Sequence, residues 1–136
     1  MEQTNTQSVS IAASPTQVFE FIADPETLPL WAVGFCRRIR RENAGWIVTT
    51  TQGDVPIRYE TDRSRGTIDF YFSPAPGVEV AAFSRVVPNG DGAEYVFTQF
   101  QAPGMPDAVF AAQVSALAEE LRVLSSVIRA RAVCPA

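Results

Sequence analysis

The chain contains no histidine and no lysine among its 136 residues. Its eleven basic side chains are all arginine and face fifteen acidic ones, for a formal net charge of −4. These absences exclude whole classes of chemistry. Ser/His/Asp and Cys/His nucleophile arrangements need an imidazole to take the proton. Zinc or iron sites built on histidine, Schiff-base lysines and the phosphate-binding lysine of a P-loop are excluded with them. The two cysteines, Cys36 and Cys134, are too few for a structural zinc site. Asp, Glu, Arg, Tyr, Cys, Ser, Thr and backbone groups remain, and neither metal nor cofactor is expected.

Other shortages narrow the class further. No apolar run approaches the ~20 residues of a spanning helix, so no stable membrane insertion is expected. The first ten residues are polar, so no signal peptide is expected, and cytoplasm is the expected compartment. Two distant cysteines in such a chain are expected to be free thiols. The acidic balance argues against nucleic acid as a partner, because binders of that kind usually carry a basic patch.

What the chain does have is apolar material: 46% apolar residues against 19% charged, with nine Phe, three Tyr and two Trp. That composition predicts one globular domain over residues 1–136, large enough for a core without disulfides. No repeat, linker or low-complexity block divides it.

The pattern along the chain predicts the elements. Residues 7–12 alternate polar and apolar, with Val9 and Ile11 on one face of a first strand. Ser14, Pro15 and Gln17 form a capping box and a proline-initiated helix whose apolar face is Val18, Phe21 and Ile22. Asp24-Pro25 repeats the signal for a second short helix to about Trp31, made irregular by Pro29. Six strands follow, at 35–42, 46–51, 56–63, 67–73, 78–87 and 93–101, separated by turn residues such as Asn89-Gly90-Asp91-Gly92. After Pro103-Gly104, Phe110, Val114, Leu117, Leu121, Leu124 and Ile128 mark one stripe of a long amphipathic helix. A helix of about 25 residues spans roughly 38 Å, so it must lie across the sheet. Consecutive strands joined by short turns are antiparallel. The expected class is α+β, a curved seven-stranded antiparallel sheet around a C-terminal helix, with two short helices between strands 1 and 2.

Ser14-Pro15-Thr16-Gln17-Val18-Phe19, Asp24-Pro25 through Trp31, the Gly45-Trp46 hairpin and the long terminal helix together resemble the START-like, Bet v 1-like (SRPBCC) superfamily. Within it the chain is most similar to the polyketide cyclase/dehydrase and lipid-transport group, over about residues 7–131. The resemblance implies a helix-grip fold with a cavity between the concave sheet face and the last helix, holding a small hydrophobic molecule.

On that fold the candidate lining is Trp31, Phe35, Tyr59, Phe70, Phe72, Phe83, Tyr95, Phe97, Phe110 and Leu117, or else these side chains simply fill the core. Gln99, in phase with Tyr95 and Phe97, and Gln113, flanking the helix stripe, are the candidate polar groups. Arg85, in phase with Phe83, would bind a carboxylate, enolate or phenolate if that face turns inward. Turned outward, it is a surface partner of Glu79. Arg37, Arg38, Arg40 and Arg41 read as a charged edge strand. Arg58, Glu60 and Asp62 read as a solvated ladder. No carboxylate is expected on an apolar face, and Cys36 is expected to be an inert thiol within a strand. Three functions compete: binding of a small hydrophobic or aromatic ligand, lipid- or polyketide-like; a cyclase or dehydratase acting mainly by shaping its substrate; and an interaction module of the co-chaperone type. A homodimer is left open.

Overall fold

The computed structural model describes residues 1–133, which places Cys134 outside the described residues. The chain runs β1 (Thr4–Ile11), α1 (Pro15–Ala23), a 3-10 turn (Pro25–Thr27), α2 (Leu28–Trp31), β2 (Arg38–Glu42), β3 (Gly45–Thr50), β4 (Gly53–Asp62), β5 (Thr67–Ala75), β6 (Val78–Asn89), β7 (Gly92–Phe100) and α3 (Asp107–Val133). The sheet order is β1-β7-β6-β5-β4-β3-β2, antiparallel throughout. The first strand thus pairs with the last, which closes the chain around its own core. The long helix α3 packs on β1, α1 and α2. Among the described residues, no helix is long and apolar enough to cross a membrane.

Local chemistry explains the short helices. The Gln17 amide donates to Ser14 Oγ (3.1 Å), and the Ser14 amide donates to Gln17 Oε1 (3.0 Å). This capping box satisfies two amides that a helix start leaves free. Replacing Ser14 with Ala is expected to cost about 1 kcal/mol, read from the urea midpoint. At the next start Asp24 Oδ1 accepts from the Glu26 amide (3.0 Å). Thr27 is buried there because its hydroxyl lies 2.6 Å from Phe21 O and 2.8 Å from Asp24 O. The irregularity expected at Pro29 takes the form of this 3-10 turn running into α2.

The second strand departs from expectation. Strand geometry begins at Arg38. Phe35 and Cys36 lie in the preceding loop, because both of their amides donate to Ala32 O, at 3.0 and 2.7 Å. Cys36 is therefore a loop residue, buried, with its thiol 3.4 Å from Arg38 O. The edge reading of the arginines fits the geometry. β2 is the last strand of the sheet; Arg40 pairs with Asp54 (2.9 Å) and Glu42 (3.2 Å), and Arg41 stacks on Trp46.

Alternation assigns the two sheet faces. Ile57, Ile68, Phe70, Ala82, Ser84, Val86, Ala93, Tyr95 and Phe97 are buried under the helices. Small residues on β6 make this possible. Ala82 stands opposite Phe70, and Ser84 opposite Phe97, so bulky rings on one strand meet short side chains on the next. Leu117, Leu121, Leu124 and Ile128 on α3 close the core from above.

Phe83 and Arg85 lie on the other face, which corrects the expectation that they line the interior. Phe83 is 41% exposed and packs against Tyr71 and Phe100 on the outer surface. Arg85 is exposed and donates to Arg65 O (3.1 Å). Glu79, offered as its partner, instead pairs with Arg58 (3.3 Å), which also holds Glu60 (3.1 Å).

One glycine in this layout is obligatory. Gly66 has φ +73, and a Cβ there would meet Val86 O at 2.4 Å, while its own carbonyl accepts from the Val86 amide (2.8 Å).

Candidate functional site

The concave face carries a continuous aromatic network. Trp31, at the end of α2, meets Tyr95 edge-on at 6.4 Å. Tyr95 contacts Phe97 (6.3 Å), Phe97 contacts Phe70 (5.8 Å), and Phe70 contacts Tyr59 (4.9 Å). Phe72 continues the row beside Phe70, and Phe35 reaches it from the α2–β2 loop at 5.3 Å. Seven of the candidate residues are thus brought together, with Leu117 buried on the helix above.

The remaining candidates stand apart. Phe110 is buried near the start of α3, beside an open cleft of about 580 Å³ that also borders Asn5 and Val114. Gln99 donates to Asn5 Oδ1 (3.2 Å), within an amide cluster where Gln7 donates to the same oxygen (2.8 Å). Its polarity is satisfied inside the protein. Gln113 is exposed, so the expectation that it flanks a cavity is corrected: on α3 it turns away from the packed stripe. A second open groove, about 290 Å³, lies between α1 and the end of α3, with Arg131 over Phe21.

Three polar atoms within the aromatic network have no hydrogen-bond partner: Trp31 Nε1, Tyr59 Oη and Tyr95 Oη. Trp31 is 3% and Tyr95 0% exposed. The Ser84 hydroxyl, which donates to Ile68 O (2.6 Å), stands near Tyr95 without a hydrogen bond of full geometry to Tyr95 Oη. Leaving a buried donor unmade costs about 1–3 kcal/mol. Burial pushes the pKa of both phenols well above the ordinary phenol range, and for Tyr59 the charge of Tyr95 would push it further. Both therefore remain hydrogen-bond donors at ordinary pH.

The site also holds a carboxyl group, which corrects the expectation that no carboxylate lies on an apolar face. Glu120 on α3 is 8% exposed. Its Oε2 accepts from the Gly34 amide (3.1 Å), and the neighbouring Phe35 amide adds a second favourable dipole. Burial outweighs these amides and pushes the carboxyl up to about 7. It also bears on Cys36, whose thiol is pushed up to about 11, chiefly by burial and then by the Glu120 charge. Cys36 is therefore a protonated thiol near neutrality, not a nucleophile. The signal for Glu120 was available: it stands three residues after Leu117 and four before Leu124, on the stripe itself. Its neighbour Glu119 faces solvent and pairs with Arg122.

All eleven arginines are exposed, so none of them contributes a cation to this interior. Its polar equipment is one indole, two phenols, one carboxyl and the Ser84 hydroxyl. That set can donate hydrogen bonds to an oxygen acceptor and exchange a proton near pH 7.

Residues 2–128 match the family described as polyketide cyclase / dehydrase and lipid transport. The chain belongs to this family. Its superfamily is the SRPBCC, or Bet v 1-like, group. No curated protein matches the chain. Similar solved structures include the protein XoxI from Bacillus cereus, with TM-score 0.74 and 16% identity over 92% of this chain and 94% of that one. Ara h 8.0201 aligns with TM-score 0.71 and 16% identity, over 96% of this chain and 99% of that one. The di-domain ARO/CYC BexL from the BE-7585A biosynthetic pathway aligns with TM-score 0.73 and 16% identity, over 91% of this chain but 45% of that one. At these identities the likeness is one of fold. Within the family, the expected helix-grip architecture stands: a curved sheet and a long C-terminal helix enclosing an aromatic interior.

Proposed function

We propose that this protein binds one small hydrophobic or aromatic molecule between the concave sheet face and α3. The observation that carries the reading is the set of three unpartnered donors inside an aromatic network. A protein retains such a cost where a bound molecule supplies the missing partners. Membership of a family described by polyketide cyclisation and lipid transport supports the same ligand class. In the unliganded arrangement the rings contact one another, so a ligand must part them. Phe35 is the ring suited to move, because it sits on a loop rather than a strand.

Native mass spectrometry with a panel of small aromatics tests this reading. One ligand per chain is expected, with affinity unchanged by Phe83→Ser on the outer face. Binding abolished by Phe83→Ser would overturn it, because the ligand would then occupy the wrong side of the sheet.

A second reading, a cyclase-type enzyme acting on the same class of molecule, is favoured by one observation. A carboxyl brought to about 7 can both give and take a proton at physiological pH. Deuterium exchange at the acidic carbon of a bound 1,3-diketone, lost in Glu120→Gln, would support turnover. Exchange at the solution rate would leave binding alone.

A further inference from the structure

We propose that the grip selects an uncharged ring system carrying a carbonyl-type oxygen, and rejects carboxylates such as fatty acids. This rests on the binding site proposed above and names the ligand chemistry it would take. The unpartnered atoms are all able to donate. Trp31 Nε1 can only donate, so its partner must be an acceptor. Tyr59 and Tyr95 add two phenolic O–H groups on the same concave face. Trp31 and Tyr95 lie edge to face at 6.4 Å, which brings an indole N–H and a phenol into one neighbourhood. A ketone or quinone oxygen has two lone pairs and can accept from two such donors. Flat rings suit the remaining walls, since Phe70, Phe72 and Phe97 offer aromatic faces and edges.

The exclusion of anions follows from the charges. A buried carboxylate needs a cationic partner in addition to hydrogen bonds to offset its desolvation. Every arginine of the chain is on the surface, and lysine and histidine do not occur. The charge built into the interior is that of Glu120, which is negative once ionised and repels a second anion. A hydrocarbon without oxygen would part the rings in the same way but leave the donors unmade. Neutral acceptors are the class that satisfies both conditions.

Three probes of matched shape separate these cases: 2-acetylnaphthalene, 2-ethylnaphthalene and 2-naphthoate, titrated at pH 8 into the full chain. The ketone is expected to bind about tenfold more tightly than the hydrocarbon, since each neutral hydrogen bond contributes modestly. The carboxylate is expected to bind about a hundredfold more weakly than the ketone. Tyr95→Phe and Tyr59→Phe should each reduce the preference for ketone over hydrocarbon, read as the ratio of the two affinities within the same variant. Equal affinity for ketone and hydrocarbon would overturn the proposal, as would naphthoate binding as tightly as the ketone. An unchanged preference in the Tyr59→Phe/Tyr95→Phe double variant would also overturn it. In those outcomes a ligand still enters and the general binding reading survives. If none of the three probes binds, the binding reading itself falls and takes this proposal with it.

Discussion

At pH 8, Glu120→Gln is expected to be more stable than the wild type by about 2–3 kcal/mol, and at pH 4 the two should nearly coincide. The sign follows from linkage. The carboxyl titrates at about 7 in the folded protein and at the ordinary 4.5 when unfolded. The folded state therefore binds the proton more tightly. Stability contributed by the protonated form is fully present below pH 4.5. It is lost as pH rises to about 7 and changes no further above that. A shift of this size corresponds to on the order of 3 kcal/mol. Glutamine keeps an oxygen that can accept from the Gly34 amide, yet carries no charge to desolvate. The surface carboxylates Asp54, Asp62 and Glu94 are held below their usual range by hydrogen-bonding partners, so their contribution is lost as pH falls. They are common to both proteins and cancel in the comparison. Urea midpoints from pH 4 to 8 check the result. A constant difference across that range would show Glu120 to be an ordinary carboxylate.

Tyr59→Phe and Tyr95→Phe should each stabilise the unliganded protein by about 1–2 kcal/mol, which is the reverse of what a structural tyrosine does. In each case a buried hydroxyl without a partner is removed while the ring stays. Tyr95 keeps its edge contacts with Trp31 and Phe97, and Tyr59 keeps its contact with Phe70. The same changes should weaken binding of an oxygen-bearing ligand. Opposite signs on stability and affinity separate a site maintained for binding from a core that is merely imperfect. Loss of stability in both variants would mean the hydroxyls are satisfied in the free protein. Because Tyr59 and Tyr95 face a common space, the double variant need not be additive.

These two expectations concern groups that differ in how plainly the sequence announced them. The tyrosines were legible: Tyr59 is in phase with Ile57 and opposite the charged Arg58 and Glu60, and Tyr95 is in phase with Phe97. The capping box at Ser14 and the stripe from Leu117 to Ile128 were equally plain, since local geometry alone sets both. β6 was harder, because it offers two apolar sets. Phe83 is the bulkier choice, but Ala82 and Ser84 face inward, because Phe70 and Phe97 on the flanking strands already fill the volume there. Only the register of three strands together decides that. Phe35 and Cys36 read as strand because a capture of two amides by one carbonyl leaves no mark in residue type. Glu120 lay on the helix stripe in plain register. Its charged residue type masks that position, although burial of a carboxyl on an apolar face is how a pKa is brought to neutrality.

The interior also gives meaning to the missing lysine and histidine. With every arginine outside, no cation within the grip can capture an anionic ligand or lower the Glu120 pKa. The carboxyl and the donors are left to an uncharged molecule.

Binding within the grip is tested most directly at the Trp31 indole. The chain has two tryptophans, Trp31 and Trp46, so the nitrogen-edited spectrum should show two indole N–H resonances. Trp31→Phe assigns them by removing one. On addition of 2-acetylnaphthalene, the Trp31 resonance should move downfield as its proton gains an acceptor, in step with one ligand bound per chain. The Trp46 resonance, on the strand next to the sheet edge, should move less. A ligand that saturates the protein while the Trp31 resonance stays in place would contradict binding between the sheet and α3.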